Sequence, residues 1–409
     1  MLGAGIALTA GLLLYAQAPA HDDVFTAIDE IVVELSRISG LKRLEPIQYD
    51  RIAKDKVKPL LEERIKEVVK PEEIRAEEAA LKKFGFVPQD FDLKKTTIDL
   101  LGEQAAAFYD FRKKKLFMID AGEDLIQHSA LVHELAHALA DQHFHLEKFI
   151  GSGGKNDDSS LARMAVMEGQ ATWLMSEYLT RRTGQSLKDS PVLVRLMSRA
   201  GDIQTGQFPV FDSAPLYLRE TLLFPYTQGM LFQHAVVEKL DQAAFTEVFR
   251  RPPVNTQQIL HPEEYFAHTK AARPALPGFA SQRNYRTLTD GEVGELDHSI
   301  LFRQYGGEEA GKLATEWRGG FFRVYEARRG TRTVLAYASG WSGPEAAQKC
   351  FALYQKVLAG KWKTFEVTSR SDGAVAGRGD DGYFELRCDG TRVTSVEGLE
   401  TPEEASGVR

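Results

Sequence analysis

The sequence predicts an α+β protein: a mainly helical lobe with one edge β-hairpin, followed by a smaller C-terminal α+β domain. Three observations predict it. Residues 123–148 and 161–179 contain one Gly and no Pro between them and carry apolar residues at helical spacing. Phe108–Asp120 (FYDFRKKKLFMID) sets two apolar runs on either side of a charged turn, the pattern of a hairpin. After a stretch rich in Ala, Pro, Gly, Ser and Arg at 270–291, the pattern changes to short strands around one helix.

Taken in order, residues 1–20 (MLGAGIALTAGLLLYAQAPA) are apolar, uncharged and end in small residues at Ala16, Ala18 and Ala20. This reads as a secretory signal, or as an N-terminal membrane anchor if it is not cut. A helical region follows over 21–99. It opens with an amphipathic helix (Val24, Ile28, Ile31, Val32, Leu35, Ile38) and continues with charged helices between Lys56 and Phe84, punctuated by Pro71. An activation segment would occupy this region. The next domain spans 100–269, and its hairpin could pair with an extended peptide through a strand edge. The linker is 270–291 and the C-terminal domain 292–397. Strands at Phe321–Arg328 and Arg332–Ser339, a helix at Pro344–Leu358 and strands at Thr364–Ser369, Gly382–Cys388 and Thr391–Val396 give a ββαβββ order. Residues 398–409 read as a flexible tail.

A 43% hydrophobic and 27% charged composition gives ample core for a globular chain of 409 residues. The net charge is −7 and no basic run exceeds Arg112–Lys115, which leaves nucleic-acid binding without an electrostatic basis. Cys350 and Cys388 are the only cysteines, so a cysteine metal cluster is excluded; an exported chain could pair the two.

The chemistry concentrates at Ala130–Leu139 (ALVHELAHAL), where His133, Glu134 and His137 spell HExxH. On a helix the two histidines sit about 6 Å apart along the axis and about 40° apart around it. Their imidazoles then face one point, as two ligands of tetrahedral Zn²⁺ must. Glu134 can act on a water at the metal as general base without being a ligand.

Glu168 is the one acidic residue in the apolar first four turns of the next helix (LARMAVMEGQATWLMSEYL), where an unpaired carboxylate would cost several kcal/mol. As third ligand it makes a His₂Glu site with one position left for water; the alternative is a pair with Arg163. Gly169 and Ala171 are small enough to let this helix approach the HExxH helix closely. His143 is the rival third ligand, at metzincin spacing after His133, but Ala140 stands where those proteins carry a helix-ending Gly. Asp141 shares the face of His133 and His137 and could orient His137 from behind the metal. Candidates to donate to an oxyanion are Tyr226, next to the Pro225 interruption of Leu216–Phe232, together with His261 and Tyr265.

HELAH with a distant Glu168-Gly169 resembles the gluzincin branch of zinc metallopeptidases. The runs EQAAAFYD, VHELAHALADQHF, MEGQAT, LRETLLFPYTQG and TQQILHPEEY are similar to a group of uncharacterised exported bacterial and archaeal proteins described as metallopeptidases. The resemblance covers Leu100–Tyr265. It implies a zincin-like catalytic lobe with an edge strand above the zinc helix, His133, His137 and Glu168 as ligands, and Glu134 as base. The chain departs from thermolysin-like members at Thr172, where they carry an aspartate. The expectation is an exported (periplasmic or extracellular) zinc metallopeptidase acting on a peptide or protein. The rival expectations are a non-catalytic zinc-containing protein of the cell envelope and a zinc amidase cutting a cell-wall amide.

Overall fold

The computed structural model describes residues 24–120, 124–153, 157–199 and 208–406. The expected signal or anchor at 1–20 lies outside the described residues. Among the described residues no helix is long and apolar enough to cross a membrane.

The protein is α+β, with a large helical part and a C-terminal antiparallel sheet domain. It opens with α1 (Ile28–Ser39), whose buried face is Ile28, Ile31, Val32, Leu35 and Ile38 and which ends at left-handed Gly40. Strand β1 (Gln48–Ala53) leads to α2 (Val57–Val68), α3 (Pro71–Phe84, started by its Pro) and α4 (Leu93–Gln104, capped by Asp92). The expected hairpin is present as β2 (Ala107–Asp110) and β3 (Lys115–Asp120). Its turn is built by the Asp110 carboxylate, which accepts from the amides of Arg112 and Lys113. β1 adds to the far side of β3 in parallel, so the order is β1-β3-β2 and β2 is an edge strand.

α5 (Asp124–Phe144) carries HExxH. The helical pattern expected over 123–148 is broken: His145 takes a left-handed φ of 53°, and a short α6 (Leu146–Gly151) restarts beyond it. The break has a cause in Asp141, whose carboxylate accepts the Leu146 amide at 2.8 Å and so caps the restarted helix. Next come α7 (Asp157–Arg181), α8 (Pro191–Ser198), α9 (Pro209–Ser213) and α10 (Leu216–Leu240). α10 passes through Pro225 without interruption, so Tyr226 lies inside a helix and not at a break. α11 (Ala244–Arg250), α12 (Thr256–Leu260) and α13 (Pro262–Ala267) complete the helical part.

The C-terminal sheet has seven strands: β4 (Tyr285–Glu292), β5 (Trp317–Ala327), β6 (Thr333–Trp341), β7 (Phe365–Ser371), β8 (Ala374–Gly379), β9 (Gly382–Asp389) and β10 (Arg392–Leu399). Its order is β4-β5-β6-β10-β9-β8-β7. α14 (Glu295–Gly306) and α15 (Pro344–Lys361) pack on it, and α16 (Pro402–Ser406) closes the chain. Two expectations are corrected. Residues 285–291, read as the end of the linker, belong to a full strand, because Tyr285–Glu292 pair with β5. Gly398 and Leu399 finish β10 and Pro402–Ser406 are helical, where a flexible tail was expected.

The helical part and the sheet share one core. Phe84 of α3 meets Phe322 and Tyr337 of the sheet edge-on at 5.3 and 5.7 Å, and the buried Lys83 ammonium donates to the Thr333 carbonyl and to Asp381. The charged helices of 21–99 therefore brace the C-terminal domain. Cys350 and Cys388 are both free thiols.

Candidate metal centre

α5 is buried on every side, with Ala130, Leu131, Val132, Leu135, Ala136, Ala138, Leu139 and Ala140 all in the core. That is the mark of a central helix, not a surface helix with one apolar stripe. β2 and β3, α1 and α7 surround it. α7 runs antiparallel to it: His128 sits near Tyr178 at one end, and Phe149 packs under Arg163 at the other.

Midway along this pairing, three buried side chains converge. Nε2 of His133 lies 2.9 Å from Nε2 of His137, and Oε2 of Glu168 lies 3.1 Å from the first and 3.2 Å from the second. A tetrahedral zinc with bonds of about 2.0–2.1 Å sets its ligand atoms about 3.3–3.4 Å apart, so the triangle is nearly of that size. Among the described residues this is the group of three His, Cys, Asp or Glu side chains able to hold a metal ion. The donor set of two imidazoles and one carboxylate suits zinc.

Burial alone would push the Glu168 carboxyl up; His137 and His133 outweigh it and hold it down to about 2. Arg163 is no partner of Glu168: its guanidinium lies over the Phe149 ring and donates to the Phe149 carbonyl. Glu134 follows His133 on α5 and is fully buried.

The close approach expected of Gly169 is present, but to a different helix. A Cβ on Gly169 would fall 2.1 Å from the carbonyl carbon of Gly229, and one on Gly229 would fall 2.2 Å from the Ala165 carbonyl oxygen. α7 and α10 therefore touch backbone to backbone and run in the same direction, since Trp173 further along α7 donates to His234 further along α10. One turn before Gly229, this crossing brings Tyr226 to the triad. Its ring lies 6.0 Å from that of His133 at an interplanar angle of 30°. From the hairpin turn, Phe111 approaches His137 edge-on at 6.3 Å. Neither Phe111 nor the seat at Gly229 was expected from sequence; the small residue inside an apolar helix was the signal for the second.

The other candidates are engaged elsewhere. Asp141 does not orient His137: its carboxylate takes the Leu146 amide, the Tyr109 hydroxyl at 3.2 Å and the Lys114 ammonium at 2.5 Å, and so ties α5, α6 and the hairpin turn together. His143 stays on α5, pointing away, with its ring 2.8 Å from the Lys42 carbonyl. His261 pairs with Glu295 at 2.7 Å, which raises its pKa. Tyr265 donates to the Arg251 carbonyl. Of the oxyanion candidates, Tyr226 is the one whose ring lies beside a triad histidine.

Residues 283–409 match a family described as a domain of unknown function (DUF8575), which takes in the C-terminal sheet and leaves the triad outside it. No curated protein matches the chain. No solved structure matches it.

Proposed function

We propose that the chain is an exported zinc-dependent metallopeptidase of the gluzincin type with a zincin-like helical lobe. The observation that carries the reading is the convergence of His133, His137 and Glu168 on one point, with Glu134 next in sequence on the same helix. When bound, zinc lowers the pKa of a water towards neutrality and polarises a carbonyl. The chain's own residues then have distinct tasks. His133, His137 and Glu168 hold the ion, and Glu134 takes the proton of the attacking water and passes it to the leaving amine. Tyr226, beside His133, is the candidate to donate to the oxygen that gains charge. The hairpin edge itself is covered: Ala107, Phe108 and Tyr109 of β2 are 0%, 2% and 2% exposed, so the choice of a peptide as substrate rests on the metal centre and not on strand addition at β2.

Replacing Glu134 by Gln tests the reading. The expected protein retains about one zinc per chain and loses hydrolysis of an unstructured protein such as casein. A Glu134→Gln protein that still cleaves removes Glu134 from the mechanism. A wild-type chain that takes up no zinc on reconstitution removes the metal centre itself.

A second reading, a non-catalytic zinc protein of the cell envelope, draws on the burial of the triad: His133, His137 and Glu168 are 1%, 0% and 2% exposed. Zinc bound without hydrolysis of casein or of peptidoglycan fragments would favour it. Cleavage of the fragments alone would favour a cell-wall amidase.

A further inference from the structure

The helix that supplies Glu168 begins at a second, unlike site. Asp158, in the first turn of α7, is 3% exposed, and its carboxylate accepts both the amide and the hydroxyl of Thr256 on α12. It presses on the start of α14, where a Cβ on Gly294 would fall 2.2 Å from Asp158 Oδ1. Asp297, on that same first turn of α14, accepts the Gly294 amide at 2.8 Å and a hydrogen bond from Tyr217 of α10. Four helices and the first strand of the sheet thus meet around two carboxyl groups.

Both line a cleft of about 620 Å³ between the helical part and the sheet. Glu72, Glu73 and Glu77 face it from α3, and Asp157 from α7. β4 contributes Asp290, which is paired with Arg323, and Glu292. No Lys, Arg or His lines it among the described residues. The nearby cation–anion pair, His261 with Glu295, is already closed on itself. An isolated buried carboxylate costs several kcal/mol, and here its neighbours are further carboxylates.

We propose that Asp158 and Asp297 form a pH-sensitive latch between the helical part and the C-terminal sheet, closed while the pair keeps a proton and loosened once both carboxyls are ionised. The proton released goes to solvent, and the two charges then repel across the contact of α7 with α14. Burial is the first cause that raises both groups, joined by Asp297 acting on Asp158 and by Asp157 acting on Asp297; the pair titrates at about 7 and about 8. Because the folded values lie above the unfolded one, the stability the pair contributes is full below the unfolded carboxyl pKa of about 4 and is lost as pH rises through 7 to 8.

The test is thermal unfolding of the full chain across pH, with zinc content followed in parallel so that the metal centre cannot account for the change. Wild type should lose at least about 5 °C in Tm between about pH 6 and pH 9. Asp158→Asn and Asp297→Asn should each remove more than half of that slope, while Asp372→Asn, on an exposed turn, leaves it unchanged. Hydrogen exchange in wild type should rise with pH in β4 and the first turn of α14 before it rises in α5. If the Asn proteins do not fold, infrared difference spectra of wild type still decide, through the band of a protonated buried carboxyl that disappears over the same pH range. A flat wild-type profile, an unaltered slope in Asp297→Asn, or no such band would each overturn the latch. None of these readouts depends on hydrolysis.

Discussion

Two carboxylates of one helix, Glu168 and Asp158, meet opposite fates. Both are buried, at 2% and 3% exposure, and burial opposes the charge of each. Glu168 faces two imidazoles and is held low; Asp158 faces Asp297 and Glu292 and is driven high. Burial therefore sets only the size of the demand, and the partners set its sign. Ten residues of α7, about 15 Å, separate a place built to keep a negative charge from one built to shed it. The first is what a cation site requires. The second, with no cation lining its cleft among the described residues, is what a proton-dependent contact requires.

The largest effect should come from breaking the first half of this contrast. Glu168→Ala removes one of three converging ligand atoms and leaves a pair of histidines, so bound zinc should fall from about one per chain to near zero after dialysis. Metal analysis of the purified proteins decides it. Full zinc in Glu168→Ala would mean that the ion, if present, sits elsewhere, and the comparison of the two carboxylates would lose its basis.

Next in size is the seat that holds α7 against α10. Gly229→Ala puts a methyl 2.2 Å from the Ala165 carbonyl oxygen, which neither helix backbone can yield without moving apart. The expected cost is roughly 3 kcal/mol in urea unfolding, at the upper end of overpacking, together with weaker zinc binding because Glu168 rides on the displaced helix. An unchanged midpoint would mean that the crossing is looser than these contacts require.

What could be read in the chain follows the range of the interactions. HExxH was legible because its geometry is set within one turn, and Glu168 because an acidic residue in an apolar stretch demands a partner. The edge hairpin was legible from its own alternation. β1, by contrast, joins β3 through residues 48 and 115, and β4 reads as linker until its partner at 321–327 is known. Gly229 carries no signal of its partner along the chain, since the backbone it admits belongs to another helix. Nothing in the run GSGGKNDDSS sets Asp158 apart from its neighbours; only the arrival of Gly294 and Asp297 turns it into a buried acid. Asp141 misled in the reverse direction. Its spacing from His137 suits a supporting hydrogen bond, but a short side chain finds the Leu146 amide first.

Asp141 supplies the next smaller effect. Asp141→Ala leaves the Leu146 amide and the Tyr109 hydroxyl without their acceptor in the core, which should cost about 1–3 kcal/mol. Zinc content should stay at wild-type level, because the carboxylate bonds to neither histidine. Calorimetry beside metal analysis separates the two. A loss of zinc with little change in stability would restore Asp141 as the group that orients His137.

The smallest effect should fall on the residue that most resembled a ligand by spacing. His143 remains on α5 with its ring against the Lys42 carbonyl, so His143→Ala gives up one partly exposed hydrogen bond, worth about 1 kcal/mol or less. Its zinc content should match wild type. The pair of outcomes is sharper than either alone, since a metzincin-type centre would lose zinc on this substitution and keep it in Glu168→Ala. A buried carboxylate on a second helix is a better ligand here than an imidazole on the first. The HExxH helix runs on without a break until His145, so its own rotation turns His143 away from the face of His133 and His137.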